Sequence, residues 1–155
     1  MKKYLAIVVL LLVAAAGCKS AKDSQQHIDI TQIKYKAMTR GAEKGVTIAR
    51  GNINVIETRR DGKNINASYP ISAANWNRLV AMAQNADPVE KLGTYEAPSK
   101  KHQFDGAMAA NLIISVGNTH YTTVTFDDGN PPAEIKDLVD EIIGISGLGK
   151  IEVKE

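Results

Sequence analysis

Histidine and cysteine, two residue types that often carry out enzyme chemistry, are few in this 155-residue sequence, which has three histidines and one cysteine. The three histidines, His27, His102 and His120, form no pair at the spacing of a zinc site. The sequence contains no serine-nucleophile elbow, phosphate-binding loop or dinucleotide-binding glycine motif. It therefore predicts a non-enzymatic protein with no catalytic residues, no metal ligands and no cofactor.

Asp127-Asp128-Gly129-Asn130 is the best candidate for a metal-binding loop. Calcium prefers several oxygen ligands, but the segment lacks the alternate spacing and the closing glutamate of an EF-hand loop. The same residue types also form tight turns and cap helix N-termini. We therefore expect a turn, keep Asp127 and Asp128 as candidate binding residues, and leave calcium binding open.

Residues 85–108 form a long stretch without a regular helix or strand pattern. Loops of more than about 12–15 residues are often functional, and basic residues beside aromatic ones suit contact with a protein or a glycan. The alternative is a loop that packs over the sheet. Asp105-Gly106 predicts a turn in which the carboxylate binds nearby backbone amides. The candidate binding residues of this loop are Tyr95, Lys100, Lys101, His102 and Asp105, and Phe104 lies among them.

The first 20 residues have the three parts of a secretory signal. Lys2 and Lys3 precede an unbroken apolar run at 5–16, and small residues follow it. A membrane-spanning helix needs about 20 apolar residues, so this run is too short for a permanent anchor. It predicts a leader that is removed after export.

Residues 13–18, Val-Ala-Ala-Ala-Gly-Cys, resemble the lipobox of bacterial lipoproteins, with Ala15 where leucine is usual. The resemblance implies cleavage between Gly17 and Cys18, diacylglycerol on the Cys18 sulfur and acylation of the new amine. Several acyl chains give stable membrane anchoring. Lys19 stands where an aspartate would retain such proteins at the inner membrane, which favours the outer membrane. Whether the chain faces the periplasm or the cell surface stays open.

These features divide the chain into a signal peptide at 1–17, a lipidated flexible tether at 18–27, a single domain at 28–148 and a tail at 149–155. Without Lys2 and Lys3, 17 of the 19 basic residues remain and balance the 17 acidic ones, so the side chains after the signal have a net charge of about zero. No basic stripe with interleaved aromatics indicates nucleic acid. The positive charge is concentrated before residue 102 and the negative charge after it, so the two halves either interleave or form a dipolar surface.

Alternating apolar residues, turn signals and two amphipathic stripes predict an α+β fold. The predicted order is ββββ-α-ββ-α, with about six antiparallel strands and both helices on one face of the sheet. We expect a bulge near Gln32, a hairpin at Asp61-Gly62, an edge or a strand end at Pro70, and a helix capped by Ser72. A strand over residues 119–126 and a helix from Pro132 should follow.

Three segments together resemble a family of small, uncharacterised bacterial lipoproteins: Thr39-Arg40-Gly41, Asp105-Gly106-Ala107 and Phe126-Asp127-Asp128-Gly129-Asn130-Pro131-Pro132. The layout of early hairpins, a helix with Trp76 and Leu79, and a late hairpin with Tyr121 is also similar to emfourin-type metalloprotease inhibitors. The first resemblance implies no known activity. We expect a lipid-anchored binding or structural module with an envelope protein partner. A protease inhibitor is the first alternative, and an enzyme with an unrecognised site is the second.

Overall fold

A computed structural model describes residues 28–85 and 88–150. The elements follow the predicted order, strands before helix in both halves, so the α+β fold is confirmed. The predictions for the signal peptide, Gly17, Cys18, His27 and the tether lie outside the described residues, as does the tail after Lys150. The elements are β1 (Ile30–Thr39), β2 (Ala42–Ala49), β3 (Asn52–Thr58), β4 (Asn64–Pro70), α1 (Ala73–Asn85), 3-10 turns at Val89–Thr94 and Lys101–Phe104, β5 (Ala109–Val116), β6 (Thr119–Thr122), β7 (Phe126–Asp127), a 3-10 turn at Ala133–Ile135 and α2 (Lys136–Ser146).

The strands form one antiparallel sheet in the order β4-β3-β2-β1-β5-β6, and β7 pairs with the beginning of β5. The edge strand β4 ends at Pro70, as predicted, since proline has no N–H to donate to a further strand. The register of β1 on β5 shifts between Ile30 and Gln32, which confirms the predicted bulge.

The side chains alternate between a covered face and an uncovered face of this sheet. In β1, Ile33, Tyr35 and Ala37 are buried, whereas Lys34 and Lys36 between them are partly exposed. The same period of two runs through β2 to β5, so each strand contributes apolar residues to one side. Both helices pack on that side and form one core with it.

The predicted strand over residues 119–126 is wrong in one respect, because it is interrupted between β6 and β7. At Thr123 the backbone N–H donates to the Leu112 carbonyl at 3.0 Å, but the Leu112 N–H donates to the Thr123 hydroxyl at 3.1 Å. The hydroxyl thus replaces a backbone carbonyl in the ladder. The carbonyl of Thr123 instead accepts the side-chain amide of Asn111 at 3.2 Å, and the chain bulges at this point.

Capping residues mark the start of α1 and the end of α2. The Ser72 hydroxyl accepts the Asn75 N–H at 3.1 Å, as the predicted N-cap of α1. A 3-10 turn directly follows Pro132 and leads into α2, so the α-helix begins four residues later than predicted. Gly147, with φ of 63°, ends α2 in the left-handed conformation that favours glycine.

The two helices run in opposite directions across the strands. α1 begins beside β4 and ends near the start of β1, where the Gln84 amide donates to the Ile28 carbonyl at 2.9 Å. α2 begins after β7 and ends over β3 and β4, because its Ser146 carbonyl accepts the Tyr69 hydroxyl. Just beyond it, the Gly149 N–H donates to the buried Glu57 carboxylate at 2.6 Å.

We call the two ends of the sheet the Ile30 end and the Thr39 end, after the limits of β1. The chain enters the domain at the Ile30 end, which also holds the β5–β6 hairpin. The Thr39 end holds the β1–β2 turn, the β3–β4 loop, the start of β5 and β7. It also holds most of the candidate residues.

Candidate functional site at the Asp127 corner

Asp127 and Asp128 lie where β7 ends beside Ala109, at the Thr39 end of the sheet. The segment turns directly after them, as expected: the Asn130 N–H donates to the Asp127 carbonyl at 2.8 Å, and Gly129 has φ of 83°. β7 fixes this turn against the sheet through the buried Phe126, whose ring lies 6.3 Å from that of Tyr35. The two carboxylates therefore occupy fixed positions.

The Asp127 carboxylate is almost fully buried, and it binds the loop that precedes β5. One oxygen, Oδ2, accepts the Ser99 hydroxyl and the Lys101 N–H, the latter at 2.9 Å. The other, Oδ1, accepts the His102 N–H at 2.7 Å and lies 2.6 Å from Nδ1 of the same histidine. A buried carboxylate needs such donors, and these four contacts attach residues 99–102 to the sheet.

These contacts also determine the protonation of Asp127. Burial by itself raises the pKa of the carboxyl group, but hydrogen bonds from Ser99, from the His102 and Lys101 backbone N–H groups and from the His102 ring stabilise the charged form. The combined effect holds the Asp127 pKa well below its ordinary value. The group is therefore a fixed anion throughout the physiological pH range.

Asp128 joins the same corner to the first two strands. Its Oδ1 accepts the Tyr35 hydroxyl at 2.6 Å, and its Oδ2 pairs with the Lys44 ammonium at 2.7 Å. Burial, together with the bond to Asp128, raises the pKa of Tyr35 well above its ordinary value. Both oxygens of Asp128 thus bind structural partners, as those of Asp127 do.

The structure brings some of the predicted loop residues together and separates the others. His102 and the Lys101 backbone meet Asp127, whereas Tyr95 packs into the core, and the side chains of Lys100 and Lys101 are exposed. Asp105 ends the predicted turn with a left-handed φ of 58°. The backbone N–H of Asp105 donates to the Lys101 carbonyl. Its carboxylate, which was expected to bind nearby amides, binds none among the described residues.

Phe104 is a residue of this loop that was not selected from the sequence as a candidate binding residue. It ends the 3-10 turn, and its side chain is 83% exposed, the highest value for a large apolar residue in the described part of the chain. An aromatic residue in a sequence is ordinarily assigned to the core. The neighbouring Lys100, Lys101 and Asp105-Gly106 were the available signal that the ring points outward.

The uncovered face of the sheet carries a second candidate surface. Gly45 leaves a depression of about 290 Å³ in this face, beside Lys34 and Lys36. Met38 and Ile56 flank it, and both are about half exposed. The acidic residues of α2 lie on the other side of the sheet, with the helices. Strand periodicity predicted the apolar face that the helices cover, but not the depression at Gly45 on the open face.

The remaining histidine contact lies on the same uncovered face. Nδ1 of His120 lies 2.8 Å from the hydroxyl of Ser115, which is buried, in the cross-strand pair between β5 and β6. Across residues 28–85 and 88–150, no three His, Cys, Asp or Glu side chains come together as a metal site. Within the same ranges, no helix has the length and apolar character needed to cross a membrane.

No protein-family model matches this chain, and no curated protein sequence is significantly similar to it.

Proposed function

We propose that this chain is a lipid-anchored protein of the bacterial envelope, attached to the outer membrane through Cys18, and that its domain binds a protein partner and catalyses no reaction. The first 20 residues support this location and the lipid anchor. In them two lysines, twelve apolar residues and the Gly17-Cys18 boundary follow one another. The predicted tether at 18–27 has ten residues, and a flexible linker of that length would reach about 17 Å.

The observation that favours binding over catalysis is the use of the Asp127 carboxylate. A catalytic acid or base must reach its substrate, but the Asp127 oxygens accept bonds from Ser99, Lys101 and His102. The Asp127 carboxylate thus shapes a loop. A loop held in this way, with exposed basic and aromatic side chains, suits the recognition of a partner.

The anchoring is tested by expressing the full chain in a bacterium and measuring the mass of the mature N-terminal peptide. We expect loss of residues 1–17 and acyl chains on Cys18, with the protein in the membrane fraction. The matched Cys18→Ser variant should lose both the acyl mass and the membrane association. A bare sulfur or a retained leader on the unaltered protein would contradict the proposal.

Inhibition of a protease is a second candidate, and the rigid, exposed loop over residues 99–106 favours it. Protease inhibitors bind through surfaces that change little on complex formation. Titration of the purified chain against envelope proteases and thermolysin-like proteases tests this idea. Stoichiometric loss of protease activity would support it, and unchanged activity at excess chain would dismiss it.

A further inference from the structure

We propose that Phe104 is the anchor residue through which the domain docks into an apolar, acidic-rimmed pocket of an envelope protein. This inference rests on the proposed function and names its binding surface and the chemistry of its partner. The anchor loop, residues 99–106, presents the ring to solvent at the Thr39 end of the sheet. Buried aromatic residues dominate the energetics of many protein interfaces.

The anchor loop is fixed in place before any partner binds. The loop makes two further hydrogen bonds besides its four contacts with Asp127. The Ser99 hydroxyl accepts the Asn130 side-chain amide at 2.8 Å, and the Gly106 N–H donates to the Lys101 carbonyl at 3.0 Å. Asp105 holds the one positive φ among the non-glycine residues described. Aspartate is one of the few non-glycine residues that adopt this left-handed conformation readily, so it closes the turn at little conformational cost. Because the loop is already ordered, docking Phe104 would require little further loss of entropy.

Charge determines the kind of pocket that Phe104 fits. Lys100 and Lys101 flank the turn, their side chains are exposed, and neither forms an ion pair within the described residues. Asp105 is the one acidic residue in the anchor loop. Carboxylates around an apolar pocket would therefore complement this surface and raise the rate of association.

The position of Phe104 favours a protein over the bilayer as its partner. The tether enters at the Ile30 end, whereas Phe104 lies near Ala109 at the opposite end of the sheet. The eight residues of β5 separate the two ends by about 24 Å, at the rise of about 3.4 Å per residue of an antiparallel strand. Phe104 thus lies at the end of the domain that is farthest from its attachment point, which favours a protein partner over the anchoring membrane.

The test places a photo-crosslinking amino acid at Gln103, beside the anchor, in the full lipidated chain within the cells that produce it. We expect an adduct with one protein whose crosslinked site is apolar and rich in Asp and Glu. Phe104→Ala should lower its yield at least tenfold, as should Lys100→Glu combined with Lys101→Glu. Asn66→Ala, a change at an exposed residue of β4, is the matched control and should leave the yield unchanged.

Several results would overturn the inference. They are phospholipid adducts, an adduct with a second copy of this chain, no adduct, a protein adduct whose site is neither apolar nor acidic, or one that persists in Phe104→Ala. Folding of each variant is checked by the fluorescence of Trp76, which is 2% exposed. The mass of the Cys18 peptide from the same cells is read separately. A bare Cys18 would refute the anchoring, while the dependence on Phe104 would still decide this inference.

Discussion

Replacing Tyr35 by phenylalanine tests how strongly the Asp127 corner is attached to the sheet. The change removes one hydroxyl from a fully buried residue and leaves the ring, which packs near Phe126. That hydroxyl donates to the Asp128 carboxylate at 2.6 Å. The substitution therefore reports on this bond and preserves the volume of the core.

The expected loss follows from the charge and the exposure of the acceptor. A hydrogen bond to a charged group contributes about 1.5–3 kcal/mol to stability. Asp128 keeps its ion pair with Lys44, and its side chain is 16% exposed, so water can partly replace the hydroxyl. We therefore expect Tyr35→Phe to lower the free energy of unfolding by about 1.5–2 kcal/mol. For a domain of this size the melting temperature should fall by about 6–8 °C.

The assay is urea unfolding of the mature chain carrying Cys18→Ser, followed by the fluorescence of Trp76. This residue is the single tryptophan of the sequence, and it is buried beneath α1. Tyr121→Phe is the matched control, because the Tyr121 hydroxyl forms no hydrogen bond with the described residues. We expect the control to stay within about 0.5 kcal/mol of the unaltered chain.

If Tyr35→Phe unfolded at the same urea concentration as Tyr121→Phe, the bond to Asp128 would contribute nothing measurable. The corner would then be held by its other contacts, among them the Asp128–Lys44 ion pair and the packing of Phe126. A loss well above about 3 kcal/mol would also contradict the reasoning, because it would mean that the ring had shifted and opened a cavity.

Three further predictions concern the other contacts that hold the fold. The Asp127 pKa lies below that of the unfolded chain, so the unfolded state takes up a proton first as the pH falls below about 4. Acid should therefore destabilise the protein, and urea unfolding from pH 6 to pH 2 measures this effect. Asp127→Asn should reduce the pH dependence of stability. An equally steep dependence in the variant would refute the role of Asp127 in it. Glu57→Ala should speed hydrogen exchange at the Gly149 N–H, which donates to the Glu57 carboxylate; unchanged exchange would show that this bond is absent in solution. Ser72→Ala should cost about 1 kcal/mol by removing the N-cap of α1. Ser68→Ala, which removes a solvent-exposed hydrogen bond to Asn52, should cost less in the same urea assay.

Much of the fold could be predicted because its signals are local. The alternation of Ile33, Tyr35 and Ala37 with lysines identifies β1 without knowledge of its neighbours. Pro70 and Ser72 mark the end of β4 and the start of α1 through their own backbone and side-chain chemistry. The interruption at Thr123 was missed, because its hydroxyl replaces a carbonyl only when β5 lies beside it.

The residues of the Asp127 corner were selected only in part from the sequence, since Ser99 was missed, and their arrangement was not predicted. Asp127, Lys101 and His102 were all selected from the sequence, yet their mutual contact spans 25–26 residues of chain. Tyr95 and Phe104 show the same limit. Two aromatic residues of one loop look alike in sequence, but one enters the core and the other faces solvent.

By itself the sequence determined most of the elements, their order and the α+β class, since helix and strand periods, turns and caps depend on residues a few positions apart. The lipid-anchor prediction likewise rests on a continuous segment and needs no fold. Only the tertiary structure decided which acids hold the loop and that Phe104 points outward. Those properties depend on burial and on hydrogen bonds between distant segments, which exist only after the chain has packed.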